Sequence, residues 1–169
     1  MSSVSVGEKQ RSLSEVLSTV NQPHWWQAVR VHDVMSTAVI CIDSLTTVPE
    51  AQMLMKERQI RRLPVIDDGK LVGIVTQGDV RGALPSEVTT LNRTEQEYLM
   101  QQVKVSRIMH GDVLTVSPET TLAEAARLMV KRKIGGLPVV NATGAVIGMV
   151  TESDIFNIFV KIFDTLDQG

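Results

Sequence analysis

Apolar and polar positions along the chain follow one order, and that order occurs twice. Val39-Ile40-Cys41-Ile42 predicts a short strand. Thr47-x-x-Glu50 is then a capping box, with Pro49 tolerated in the first helical turn. The helix it opens runs to about Gln59 and turns Ala51, Leu54 and Met55 inward. Leu63 to Ile66 and Leu71 to Val75 predict two strands joined by Asp67-Asp68-Gly69-Lys70, a hairpin turn in which Gly69 supplies positive φ. Thr76-x-x-Asp79 caps a final helix through Leu84. The second passage gives a strand at Val113 to Val116, the capping box Thr121-x-x-Glu124 and a helix to about Lys133. Strands at 137–140 and 146–150 follow, then Thr151-x-x-Asp154 and its helix. Each copy reads strand, helix, strand, strand, helix, a mixed α/β (α+β) pattern.

The copies align residue by residue. Val31 to Ile66 matches Val105 to Val140 at an offset of 74, and Gly69 to Leu84 matches Gly144 to Phe159 at 75. Of those 52 aligned positions 19 are identical, which marks an internal duplication. The extra residue falls in the turn Asn141-Ala142-Thr143-Gly144, where insertion is cheapest. The expected organisation is a tail and short helix at 1–30, a first repeat at 31–85, a helical linker at 86–104, a second repeat at 105–163 and a tail at 164–169. A unit this small buries too little surface to be stable alone, so the repeats are expected to pack together and share a core.

Outside the repeats, Leu13, Val16, Leu17 and Val20 form one apolar stripe, ended by Asn21-Gln22-Pro23. Trp25-Trp26 either covers an edge of the core or offers a partner surface. Pro85-Ser86 breaks the chain, and Thr94-x-x-Glu97 begins a connecting helix containing Tyr98 and Leu99. In the last helix Ile155, Ile158 and Ile162 form one row, and Phe156, Phe159 and Phe163 form another. So wide a stripe suits either ordinary core or a helix–helix dimer contact.

Composition mainly excludes. Among 169 residues the net charge is −2, which gives no pull toward nucleic acid or an anionic membrane. No apolar run approaches the roughly 18 residues that span a bilayer. The first residues lack the apolar core of a signal peptide. Cys41 is the single cysteine and cannot form an internal disulfide, so a reducing cytoplasm is the expected compartment. In its apolar strand, Cys41 fits a small buried hydrophobe. His24, His32 and His110 have no metal-ligand spacing with one another or with Cys41. Gly69-Lys70 is not a Walker motif, since Pro64 stands where the first glycine belongs and no Ser or Thr follows the lysine. With no acid–base pair on a defined element either, the chain is expected to be non-enzymatic.

The doubled Leu-Pro-Val strand, the Gly-x-Val-Thr-x-x-Asp strand-to-helix junction and the Met near each repeat's start (Met35, Met109) resemble a tandem pair of CBS domains, a Bateman module. The resemblance spans about residues 31–163. It implies two repeats packed about a pseudo-twofold axis. It also implies a cleft between them that binds an adenosine-containing ligand: AMP, ADP, ATP or S-adenosylmethionine. No cofactor is required. The implied role is regulation and energy sensing, acting on a partner or an oligomer. The implied partners are a nucleotide, a second copy in a homodimer through the CBS helices, and an effector protein still to be identified.

The residues of the junction fit that role in their own right. At Thr76-x-x-Asp79 a strand ends and a helix begins, leaving backbone N–H groups and a positive dipole end. An aspartate can accept two hydrogen bonds at once, matching the 2′ and 3′ hydroxyls of a ribose. The resemblance assigns ribose to Asp79 and Asp154, and ribose or phosphate to Thr76 and Thr151. The same four residues also suit plain helix capping, so both roles stand open. Before the Leu-Pro strand the first repeat has Arg61-Arg62 and the second Gly135-Gly136. The resemblance turns such basic residues toward the phosphates of the ligand on the other repeat, here the one held by Asp154. It also places the backbone at Ile60, Ile134 and Gly135 beside adenine. Arginine suits phosphate through its planar fork, and equally suits the C-terminal end of a helix. Ser36, Thr37 and Ala38, with His110, Gly111 and Asp112, lie where the family lines its cleft, and Asp112 would repel phosphate.

Three functions follow: a ligand-sensing module, a structural association module working through the Phe-rich last helix, or a regulatory piece of a larger enzyme whose activity belongs to a partner.

Overall fold

The computed structural model describes residues 28–83 and 93–166. The expected helix through Leu13 to Val20, Trp25-Trp26, Leu84 and Pro85-Ser86 lie outside them. Helix α1 spans Val48–Glu57 and is followed by β1 (Arg62–Asp67), β2 (Lys70–Thr76) and α2 (Gln77–Ala83). Helix α3 (Arg93–Gln102) leads to α4 (Leu122–Arg132), β3 (Gly136–Val140), β4 (Val146–Thr151) and α5 (Glu152–Leu166).

Both capping boxes form. Thr47 Oγ1 accepts the Glu50 N–H at 3.4 Å while the Glu50 carboxylate accepts the Thr47 N–H at 2.8 Å. Thr121 and Glu124 repeat this at 3.2 and 3.0 Å. β1 and β2 pair antiparallel, with Arg62 opposite Thr76 and Asp67 opposite Lys70. The loop between them is Asp68-Gly69, at φ 49° and 74°. Two positive-φ residues give a turn whose twist matches that of the strands, as the Asp-Gly pair predicts.

One expectation changes. The strands expected at Val39 to Ile42 and Val113 to Val116 shrink to single parallel bridges, Ile42 to Val65 and Val116 to Val139. Ile42 N–H donates to Pro64 O at 3.0 Å and Ile42 O accepts the Ile66 N–H at 2.8 Å, and the ladder goes no further. A short apolar run states that a segment is buried but not how far its backbone is paired. In α5 the isoleucine row is the core face, with Ile158 and Ile162 buried, whereas Phe156, Phe159 and Phe163 are exposed.

The chain forms two compact units that interleave in sequence. Among the described residues, one comprises 38–83, 93–115 and 141–147; the other comprises 28–37, 116–140 and 148–166. In the first, Ile42, Val48, Ala51, Met55, Leu63, Val65, Val75, Val80 and Val105 make the core. Each buried Leu or Val there contributes roughly 1.5–3 kcal/mol. Val105 opens the second repeat yet lies in this core, its N–H bonded to Thr46 O at 2.8 Å. In the other unit Val31 N–H donates to Thr120 O at 2.9 Å, and Val29 packs with Ile158 and Ile162. The lead-in of each repeat is thus anchored beside the strands and helices of the other.

Each lead-in closes with an antiparallel bridge onto the second hairpin strand: Ile74 with His110 in one unit, Ser36 with Met149 in the other. Close approach requires glycine. A Cβ at Gly73 would lie 2.5 Å from Met109 Sδ, and one at Gly148 would lie 2.5 Å from Met35 Sδ. Gly73→Ala and Gly148→Ala are therefore expected to lower stability by about 1–3 kcal/mol through overpacking. Gly82→Ala, in α2 with nothing within 4 Å of the new methyl, should raise it by up to about 1 kcal/mol. Urea denaturation of the three variants checks this, and equal effects at Gly73 and Gly82 would contradict it.

Candidate functional site

Each Thr-x-x-Asp junction is a side-chain cap built where a strand turns into a helix, and the first is reciprocal. At the first, Asp79 Oδ2 accepts the Thr76 N–H and the Thr76 Oγ1–H, both at 2.7 Å, and Thr76 Oγ1 accepts the Asp79 N–H at 3.3 Å. At the second, Asp154 Oδ2 accepts the Thr151 N–H and Oγ1–H, again both at 2.7 Å. The first helical N–H is also satisfied, by the residue just before the first strand of the hairpin. Gln77 N–H donates to Arg61 O at 2.9 Å, and Glu152 N–H to Gly135 O at 3.2 Å. Helix capping is thus present at both places.

The other predicted residues fall around these caps, unit by unit. Ile60, Arg61 and Arg62 join the Thr76–Asp79 junction: Ile60 is half-buried, Arg61 exposed, and Arg62 faces Thr76 across the hairpin. Ile134 and Gly135 stand in the same relation to Thr151 and Asp154, both half-buried. Thr37 is exposed and follows Ser36, whose bridge to Met149 brings this segment to the strand that ends at Thr151. Ala38, also exposed, belongs to the other compact unit.

Besides the Asp79 N–H bond to Thr76 Oγ1, the two junctions differ in one side-chain contact. His110 Nε2–H donates to Asp79 Oδ1 at 3.0 Å, with the imidazole 67% exposed and the carboxylate 19%. No described residue bonds Asp154 Oδ1, whose counterpart of His110 is Ser36. The sequence placed His110 only among lining residues. Its partnership with Asp79 joins positions 31 apart in the chain. The available clue was its place directly after Met109, the counterpart of Met35.

Burial pushes the Asp79 carboxyl upward, but the Thr76 hydroxyl and N–H and the His110 imidazole outweigh it and hold it below the ordinary carboxylate range. Burial raises the half-buried Cys41 thiol, which opposes a nucleophilic role. Among the described residues no group of His, Cys, Asp or Glu could hold a metal ion. None of their helices is long and apolar enough to cross a membrane.

The profile of the family described as CBS domain matches residues 31–86 and 105–161. A CBS domain-containing protein of Dictyostelium discoideum is 36% identical over 137 residues, 80% of this chain and 94% of that protein. The CBS domain pair of protein MJ0100, solved with 5′-methylthioadenosine and S-adenosyl-L-methionine, superimposes with a TM-score of 0.64 at 32% identity, covering 78% of this chain and 99% of the other. CBSX2 of Arabidopsis thaliana, solved with AMP, gives 0.66 at 30% identity, covering 79% and 98%. The chain also matches inosine-5′-monophosphate dehydrogenase of Korarchaeum cryptofilum, 41% identical over 130 residues, but spans only 24% of that enzyme's length and 77% of its own.

Because Asp79 titrates lower folded than unfolded, its contribution to stability is present above the unfolded value of about 3.9 and is lost as pH falls through the folded one. Asp79→Ala is expected to cost about 1 kcal/mol at pH 7. Urea titrations of parent and variant at several pH values should show that difference hold to about pH 5 and shrink below about pH 4. A difference unchanged down to pH 2 would be the contrary result.

Proposed function

The chain belongs to the CBS domain family, and on that premise we propose that it is a regulatory module that binds an adenosine-containing ligand and passes its occupancy to a partner or an oligomer. The supporting observation is the Asp154 junction. A partly buried carboxylate is fixed in place by its own cap on Oδ2, while Oδ1 has no partner among the described residues. A carboxylate held that way is prepared to accept the vicinal hydroxyls of a ribose without reorganising. Solved relatives of similar sequence carry S-adenosyl-L-methionine, 5′-methylthioadenosine or AMP, all of which contain adenosine. Thr151 shares the junction with Asp154, and the same roles fall to Thr76 and Asp79 at the first junction. Arg61 and Arg62 supply positive charge for ligand phosphates. Ile60, Ile134, Gly135, Thr37 and Ala38 line the ligand through backbone and small side chains. Ligand can shift the module only through differential affinity for its arrangements.

A second role rests on α5. Phe156, Phe159, Val160 and Phe163 are 65%, 52%, 56% and 62% exposed, an apolar face that suits self-association. In this role the module pairs with a second copy through its CBS helices. Its setting is the cytoplasm.

Isothermal titration with AMP, ADP, ATP and S-adenosylmethionine tests the sensing role. Asp154→Ala is expected to abolish the tighter event, and Asp154→Asn, which keeps a cap acceptor, to weaken it at least about tenfold. Arg61→Ala should weaken ATP more than adenosine. No heat and no thermal shift with any of the four ligands would reject sensing. For association, sedimentation of Phe159→Glu should give a smaller species than the parent; an unchanged one would reject that face.

A further inference from the structure

We propose that His110 makes the two junctions unequal by occupying the Asp79 carboxylate in place of a ligand, so that a ribose diol is taken first at Asp154 and at Asp79 only when the imidazole moves aside. This inference rests on the sensing role above and adds a specificity-determining residue to it.

The reasoning is a count of acceptor sites. An ionised carboxylate offers about four, two on each oxygen. Asp79 stays ionised at neutral pH, since it is held below the ordinary carboxylate range. Its Oδ2 takes both the N–H and the hydroxyl of Thr76, and its Oδ1 takes His110 Nε2–H. About one site remains, too few for a pair of hydroxyls. Asp154 spends only Oδ2, on the N–H and hydroxyl of Thr151. Both sites on Oδ1 remain, enough for the pair.

His110 is placed for this by backbone. Ile74 N–H donates to His110 O at 3.0 Å and His110 N–H to Ile74 O at 2.9 Å, two residues before Thr76. Ser36 takes the same two bonds with Met149, both at 2.9 Å, two residues before Thr151. The frame is common to both junctions, and the side chain on it differs. An imidazole reaches the carboxylate from that position; a serine hydroxyl, several bonds shorter, makes no bond to Asp154. The imidazole is 67% exposed, so it can turn into solvent and yield the oxygen. The result is a graded pair of sites, the first open and the second latched.

The experiment exchanges the two residues and reads AMP and adenosine binding by isothermal titration with the full chain. His110→Ser is expected to strengthen the weaker event by about tenfold, the scale of one hydrogen bond to a charged group. Adding Asp79→Ala to His110→Ser should remove that gain. Ser36→His is expected to weaken the tighter event by a similar factor. If His110→Ser binds with the parent's stoichiometry and affinities, the latch is overturned while sensing stands. If the gain survives Asp79→Ala, the latch is likewise overturned, because the strengthened site is elsewhere. If neither parent nor any variant binds AMP or adenosine, sensing itself fails and the latch falls with it.

Discussion

Two antiparallel bridges, Ile74 with His110 and Ser36 with Met149, are the constraint on which the rest of the structure depends. Each joins the lead-in of one repeat to the second hairpin strand of the other. Each spends both backbone groups of its two residues on one another, at 2.9–3.0 Å. A backbone hydrogen bond contributes about 0.5–1.5 kcal/mol net, so the bonds alone fix position more than they stabilise. The stabilising partner is apolar: Met109 lies on Gly73 and Met35 on Gly148, in spaces that only a glycine leaves open. Upstream, Val105 and Val31 are fully buried and anchored to Thr46 and Thr120.

This exchange explains how repeats too small to stand alone become two compact units. The carbonyls of Thr46 and Thr120, in the loops that enter α1 and α4, would lack partners within their own repeats. The lead-ins supply the missing N–H groups from 59 and 89 residues away, the spans from Thr46 to Val105 and from Val31 to Thr120. Contacts of that range carry a loop-closure cost that slows folding relative to local contacts. Duplication makes the arrangement economical, because one lead-in design serves twice. It also frees the side chain that follows each Met, since the backbone alone holds the bridge.

At the junctions the same atoms that serve structure are those to which the proposed role assigns recognition. Thr76–Asp79 and Thr151–Asp154 end a strand, cap a helix and present a carboxylate whose orientation is fixed by the cap. Capping engages only Oδ2, so in the proposed role a ligand would not compete for that oxygen. His110 engages Oδ1 of Asp79 from outside the cap. A single side chain at the bridge thus distinguishes two otherwise matching carboxylates, and the Arg61-Arg62 against Gly135-Gly136 difference adds a second distinction.

Much of this was legible in the residues themselves. The duplication, the capping boxes at Thr47 and Thr121, the Asp68-Gly69 turn and both Thr-x-x-Asp caps depend on neighbours within four positions, and local chemistry specifies local geometry. Helical period put Ile158 and Ile162 in one row of α5 and the phenylalanines in the next, but could not say which row was covered. The extent of the leading strands was not legible either, because pairing at Ile42 and Val116 is set by what lies across from them. Least legible was the hydrogen bond between His110 and Asp79. No local rule links residues so far apart; only the exchange of lead-ins brings the imidazole to that carboxylate, and leaves a serine at the matching place beside Asp154.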